Sequence, residues 1–155
     1  MVETWRRAHT RDGAAGMPAH ITLLYPFAPF EEADLEGVSE LASATDPFSF
    51  ELAAVHEWPD GVVWLEPRPS EPFVRLTERC VERFPSWPPY GGIHDEIVPH
   101  LTVVHTNDAG ARAAAAGAVA GSLPIHCGAN ELSVMRVVDR RWTTYTALPF
   151  GTAPS

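Results

Sequence analysis

Pro99-His100-Leu101-Thr102-Val103 decides how this chain is read, because Pro18-Ala19-His20-Ile21-Thr22-Leu23 repeats its pattern eighty positions earlier. In both stretches a histidine and a threonine flank one apolar residue, and a proline stands just upstream. Side chains alternate across a β-strand, so the histidine and threonine share one face while Ile21 or Leu101 points the other way. Strands are therefore predicted at about 19–25 and 99–105. Each buries apolar groups behind and presents an imidazole and a hydroxyl in front. Two such strands facing each other make a pocket of two histidines and two threonines, a set of groups suited to phosphodiester chemistry. One His-x-Thr arises often by chance; the recurrence carries the functional reading.

Outward from these motifs the order of elements also repeats. Each predicted motif strand is followed by a helix, a further strand and a hairpin. After the first come a helix over 31–44, the alternating strand Phe48-Ser49-Phe50-Glu51-Leu52, the turn Asp60-Gly61 and the strand Val62–Leu65. The clearest helix spans 70–84, with Ser70 as N-cap and Phe73, Leu76, Cys80 and Phe84 forming one apolar stripe. A long loop, 85–98, centres on Trp87-Pro88-Pro89-Tyr90-Gly91-Gly92 and leads into the second motif. An Ala-rich helix over 108–121 and strands near 123–127, 131–138 and 142–148 complete the chain. A short helix over 3–10 and a turn over 11–17 precede the first motif. The expected organisation is one domain over 1–155, with lobes at about 1–66 and 86–150 in pseudo-repeat and the paired motifs meeting between them.

Composition narrows the function classes. With 155 residues, 45% hydrophobic and 20% charged, the chain reads as a soluble globular protein able to bury a substantial core. No apolar run approaches the roughly 20 residues of a membrane span, and the polar, Arg-bearing N-terminus does not read as a secretory signal. Cys80 and Cys127 read as free thiols in a reducing compartment, so a cytoplasmic location is expected. The formal charge is −9 and every basic side chain is arginine, which excludes a catalytic lysine. An acidic balance also argues against gripping a long duplex, DNA included, since that binding draws on clustered positive charge. A small phosphate ester or one RNA end suits this chain better.

The motifs His20-Ile21-Thr22-Leu23-Leu24-Tyr25-Pro26-Phe27 and Val98-Pro99-His100-Leu101-Thr102-Val103, with Pro88-Pro89-Tyr90-Gly91-Gly92 before the second, resemble those of the two-histidine phosphoesterase superfamily. The likeness is to its 2′-5′ RNA ligase-like and cyclic phosphodiesterase group, and it spans about 5–150. It implies an α+β, bilobal, pseudo-duplicated 2′-5′ RNA ligase (LigT)-like fold, with two antiparallel sheets lining a cleft and helices outside. It also implies metal-independent chemistry, without a cofactor, on 2′,3′-cyclic phosphates or 2′-5′ linked RNA ends. One departure stands out: members of the group begin with an apolar strand, whereas Met1-Val2-Glu3-Thr4-Trp5 provides none. An N-terminal lobe short of an edge strand leaves backbone groups unpaired. A monomer is expected, with pairing of two copies through that lobe as the alternative.

Opening a cyclic phosphate needs water deprotonated on one side of phosphorus and a leaving oxygen protonated on the other. Histidine serves both tasks, with an unperturbed pKa of about 6.5. His20 and His100 are the expected catalytic acid–base pair, and Thr22 and Thr102 the expected phosphate-binding donors. Tyr90, Trp87 and His94 are candidate substrate contacts, the aromatics as stacking platforms for a base. His56, His105 and His126 are assigned structural places, His9 a short exposed helix, and Tyr25, Phe27, Trp58, Trp64 and Trp142 the core. Arg136, Arg140 and Arg141 offer charge near a hairpin. Rival readings are RNA 2′-5′ ligation by the reverse chemistry and a module that binds a nucleotide or RNA end without turnover. A metal hydrolase is disfavoured, because no HxxxH, HxH or Cys/His cluster is present.

Overall fold

The alternating run at Phe48 does form a strand, and it extends further than its pattern suggested. In the computed structural model, which describes residues 1–92 and 96–151, β1 runs Phe48–Glu57 and β2 runs Val62–Arg68. They are joined at Asp60-Gly61, where Gly61 has φ +90° and a Cβ would lie 2.5 Å from the Thr106 carbonyl oxygen. Only glycine fits that turn. On the far side of β2 lies β3 (Leu101–His105), and on the far side of β1 lies β4 (Ile125–Ala129), giving an antiparallel sheet of order β3-β2-β1-β4. A separate hairpin pairs β5 (Glu131–Val138) with β6 (Arg141–Pro149). It turns at Asp139 and Arg140, both at positive φ (51° and 65°) as a tight hairpin requires. The sheets do not follow the sequence repeat: the four-stranded one takes two strands from each half of the chain.

Helices cover the apolar faces. The N-terminal α1 (Val2–His9) leads into the single turn α2 (Arg11–Ala14). Asp34 caps α3 (Leu35–Ser43) by accepting from Gly37 N at 2.8 Å, and Asp108 caps α5 (Ala109–Ala120) by accepting from Ala111 N at 3.1 Å. Between them, α4 (Glu71–Arg83) buries Phe73, Leu76 and Cys80, and Phe84 follows at its C-cap. Ser70 does occupy the N-cap position, yet its hydroxyl caps no backbone group. Cys80 is buried and Cys127 half-buried, both as free thiols.

Two apolar clusters result. The larger joins Leu52, Val63, Leu65, Leu101, Val103 and Val104 to Ala115 and Val119 of α5, with Val2 and Trp5 of α1 against it. The smaller joins Ala42 of α3, Leu76 of α4 and Phe150, with Leu132 and Leu148 of the hairpin. Val103 and Val104 are both fully buried although adjacent, because the β2–β3 register slips between Val63 and Trp64.

Three expectations need correction. Residues 19–25 form no strand. Pro18 and Pro26 donate nothing, and the segment spans both clusters: Ala19 and Ile21 pack against the larger and Leu23 against the smaller. Its backbone is held by side chains and a loop instead of a ladder. The second motif strand begins at Leu101, so His100 stands just before it. The helix over 31–44 is a 3-10 turn, Phe30–Glu32, followed by α3.

Candidate active site

The first motif is fixed by hydrogen bonds that no strand pattern announces. Glu3 of α1 accepts from Ala19 N, and Arg6 Nη2 donates to Met17 O at 3.3 Å. At the far end Tyr90 N donates to Tyr25 O at 2.6 Å. His20 Nδ1 lies 2.7 Å from Pro18 O. A carbonyl only accepts, so Nδ1 carries the proton and the neutral ring keeps its lone pair on Nε2. Burial lowers the His20 pKa below its usual value; the Pro18 carbonyl opposes this, Arg6 adds to it, and Asp12 and Glu3 pull the other way.

The second motif repeats that posture. His100 Nδ1 lies 2.7 Å from Val98 O, which again places the lone pair of the neutral ring on Nε2. Thr102 stands opposite Trp64 on β2, and Trp64 opposite His56 on β1, so His56, Trp64 and Thr102 form a row across three strands. Val63 and Leu65 alternate with Trp64 and point into the larger core, leaving Trp64 on the opposite face. There the His100 ring meets Trp58 edge-on at 4.8 Å between centroids and Trp64 at 6.1 Å. His56 closes the cluster, 4.6 Å from Trp64, with Nε2 at 3.2 Å from Glu66 Oε1. Burial would raise the Glu66 pKa, but Arg68 and His56 outweigh it and hold the carboxyl low. A cavity of about 500 Å³ opens beside this row, lined by Trp64, Glu66, Arg68, Ser70, Val98 and Pro99 among others.

What joins the two motifs is the core behind them and one arginine. Ile21 and Leu101, the middle residues of the two His-x-Thr triplets, belong to the same cluster. Arg6, 0% exposed, donates from Nη1 to Thr102 O at 2.8 Å while its Nη2 reaches Met17 O and Asp12 Oδ2. A single guanidinium thus touches the backbone of the second motif and of Met17, the residue just before the first.

The remaining candidates divide. Tyr90 sits at the first motif, with a hydrogen bond between its side chain and that of Thr22, and burial raises its pKa against that bond. Its φ of 52° marks a backbone held in the left-handed region. Trp87 is half-buried, its backbone N–H donating to Phe84 O at 3.0 Å. His94 lies outside the described residues. His105 is exposed, His126 lies 3.2 Å from Glu51, and His9 stacks on Trp5. Arg136 lies over the rings of Phe30 and Tyr145, at 4.5 and 5.0 Å from their centroids. Tyr25 is 51% exposed instead of buried, packing edge-on against Trp142.

Sequence reasoning passed over Arg6, Trp58, Trp64 and His56 as site neighbours. Arg6 follows Val2 by four positions, which puts it on the inner face of α1. The alternation of Val63 and Leu65 with Trp64 and Glu66 was hidden by four successive apolar residues, Val62–Leu65. Among the described residues, no three His, Cys, Asp or Glu side chains gather as a metal site. Nor is any described helix long and apolar enough to cross a membrane.

The model of the 2′-5′ RNA ligase superfamily matches residues 1–141. No curated protein matches the sequence. Among solved structures, TT0787 of Thermus thermophilus is similar over 98% of this chain and 93% of its own, at TM-score 0.64 and 16% identity. Escherichia coli LigT complexed with 3′-AMP is similar over 97% and 90%, at TM-score 0.58 and 18% identity. The same LigT complexed with NADP+ gives TM-score 0.55 at 18% identity over 97% and 89%. At these identities the likeness is one of fold.

Proposed function

The chain belongs to the 2′-5′ RNA ligase superfamily, and on that premise we propose that it is a metal-independent phosphoesterase that hydrolyses 2′,3′-cyclic phosphates of nucleotides or RNA ends. His20 Nε2 takes a proton from water, which attacks phosphorus. The bond from phosphorus to one ribose oxygen breaks, and His100, entering as the imidazolium with its Nδ1–H on the Val98 carbonyl, protonates the departing oxygen from Nε2 and ends neutral. The proton count balances, and the two rings exchange roles in the reverse direction. Thr22 and Thr102 donate to the non-bridging oxygens, so charge that develops in the transition state meets fixed donors. Burial lowers the proton affinity of His20 and so favours the neutral form a base needs.

The observation that carries this reading is the matched engagement of the two rings, each with Nδ1 at 2.7 Å from a carbonyl two residues back. A binding module has no need of two imidazoles prepared in the same tautomer. Hydrolysis is favoured over ligation by the −9 formal charge, since joining two RNA ends calls for a broad basic surface. The complex of LigT with 3′-AMP bears on substrate class, because 3′-AMP is what remains when the 2′ bond of adenosine cyclic phosphate opens. The test is turnover of the four 2′,3′-cyclic nucleotides with and without chelator. Release of a monophosphate at equal rates in both supports the proposal; no release from any of them overturns it.

A further inference from the structure

The first motif has no strand to hold it, yet a base must stand within hydrogen-bond reach of its proton. We propose that Arg6 is the positioning residue of this site, setting where His20 stands relative to Thr102 by bonding at once the carbonyl of Thr102 and that of Met17, three residues before His20. The inference rests on the two-histidine reading for its rate measurement and on the geometry alone for the rest.

Three observations support it. The guanidinium is 0% exposed and bonds Thr102 O at 2.8 Å, Met17 O at 3.3 Å and Asp12 Oδ2 at 3.1 Å. Its Nε meets no partner among the described residues, so the group is not there to satisfy every polar atom. The guanidinium is paired with an Asp12 carboxylate that is 37% exposed, so the ion pair alone adds little stability. Its distinctive property is reach: a planar fork touches two carbonyls and a carboxylate together, which the single nitrogen of lysine does not.

Charge follows from the same placement. Among the described residues, the charged groups acting on His20 are Arg6 and Glu3 from α1 and Asp12 from α2, the arginine favouring the neutral imidazole and the two carboxylates the protonated one. Arg6 and Asp12 therefore pull His20 in opposite directions while bonded to each other.

The test uses Arg6→Lys, Arg6→Met and Asp12→Asn in the full chain, with folding checked by amide NMR dispersion. His20 is titrated by imidazole NMR, and kcat and KM are measured on a 2′,3′-cyclic nucleotide. Arg6→Lys is expected to lower kcat about 10- to 100-fold per folded molecule, the scale of a small misplacement, with KM held within about twofold. The His20 titration is expected to move to higher pH in Arg6→Met and to lower pH in Asp12→Asn. The proposal is overturned if Arg6→Lys keeps its kcat, or if the two titration shifts are absent or share a sign. Should the parent protein turn over no cyclic nucleotide, the functional reading fails, while the titrations still decide the placement of Arg6.

Discussion

His20 and His100 hold one posture: in each, Nδ1 lies 2.7 Å from the carbonyl oxygen two residues upstream, that of Pro18 or of Val98. The match does not come from shared secondary structure, because one ring precedes β3 and the other stands on a segment with no ladder. It comes from the local sequence, Pro-x-His in one case and Val-Pro-His in the other. Free imidazole has no such constraint. In both motifs the backbone itself selects the nitrogen that faces outward.

The first prediction concerns tautomers. Nitrogen chemical shifts of the two neutral rings, measured above pH 8, should report the Nδ1–H form at both positions. A mixture dominated by Nε2–H at either one contradicts the geometry.

The second concerns pH. Burial depresses His20, so the acid limb of the kcat/KM profile assigned to the base should fall below 6.5. Stability carries the same sign. A histidine depressed on folding binds fewer protons in the folded chain than in the unfolded one. Its penalty is therefore largest in acid, lessens as pH rises toward 6.5 and is gone above it. Urea unfolding of His20→Asn should accordingly show a weaker loss of stability between pH 7 and 5 than the parent. An equal or steeper loss contradicts the assignment.

The third concerns Tyr90. Its phenol bonds the Thr22 side chain while its N–H bonds Tyr25 O at 2.6 Å, so loop and motif are docked twice. Tyr90→Phe keeps the backbone bond and loses the phenolic one, at a cost of about 1 kcal/mol, or roughly fivefold, if that bond sets the Thr22 rotamer. The loss should appear in kcat on a cyclic nucleotide. An unchanged kcat would separate the loop from catalysis.

The fourth concerns Trp58. Its ring meets that of His100 edge-on at 4.8 Å, and it lies at the end of β1 outside the larger core. Trp58→Ala should lower kcat about tenfold by releasing the His100 ring, whereas Trp58→Phe should retain most of the rate, since an aromatic contact of this kind is worth about 0.5–1.5 kcal/mol. Thermal unfolding of both variants checks that the fold survives. Equal rates for the alanine and phenylalanine variants would assign Trp58 no part in holding His100.

Much of this was legible in the sequence where one physical rule acted alone. Alternation gave β1, the Asp60-Gly61 turn gave the β1–β2 hairpin, and the Phe73-Leu76-Cys80 stripe gave α4. The same rule misread 19–25, because alternation records which side chains are buried and not whether a neighbouring strand exists to complete a ladder. Ile21 and Leu23 are apolar for packing in two different clusters. Arg6 was illegible for a related reason: charge predicts exposure, and only the Thr102 and Met17 carbonyls, distant in sequence, explain its burial. Trp64 is buried, as large aromatics usually are, but on the face of β2 opposite the larger core, where it and the half-buried Trp58 meet His100.

The central claim is that two imidazoles serve one phosphate, and a rate comparison tests it most directly. Turnover of a 2′,3′-cyclic nucleotide would be measured for the parent, His20→Ala, His100→Ala and the double variant, each confirmed folded. Each single replacement should cost about 10²-fold or more, and the double little beyond either alone, as for groups acting as a unit. A near-parental rate in either single variant, or losses that simply multiply in the double, would contradict it.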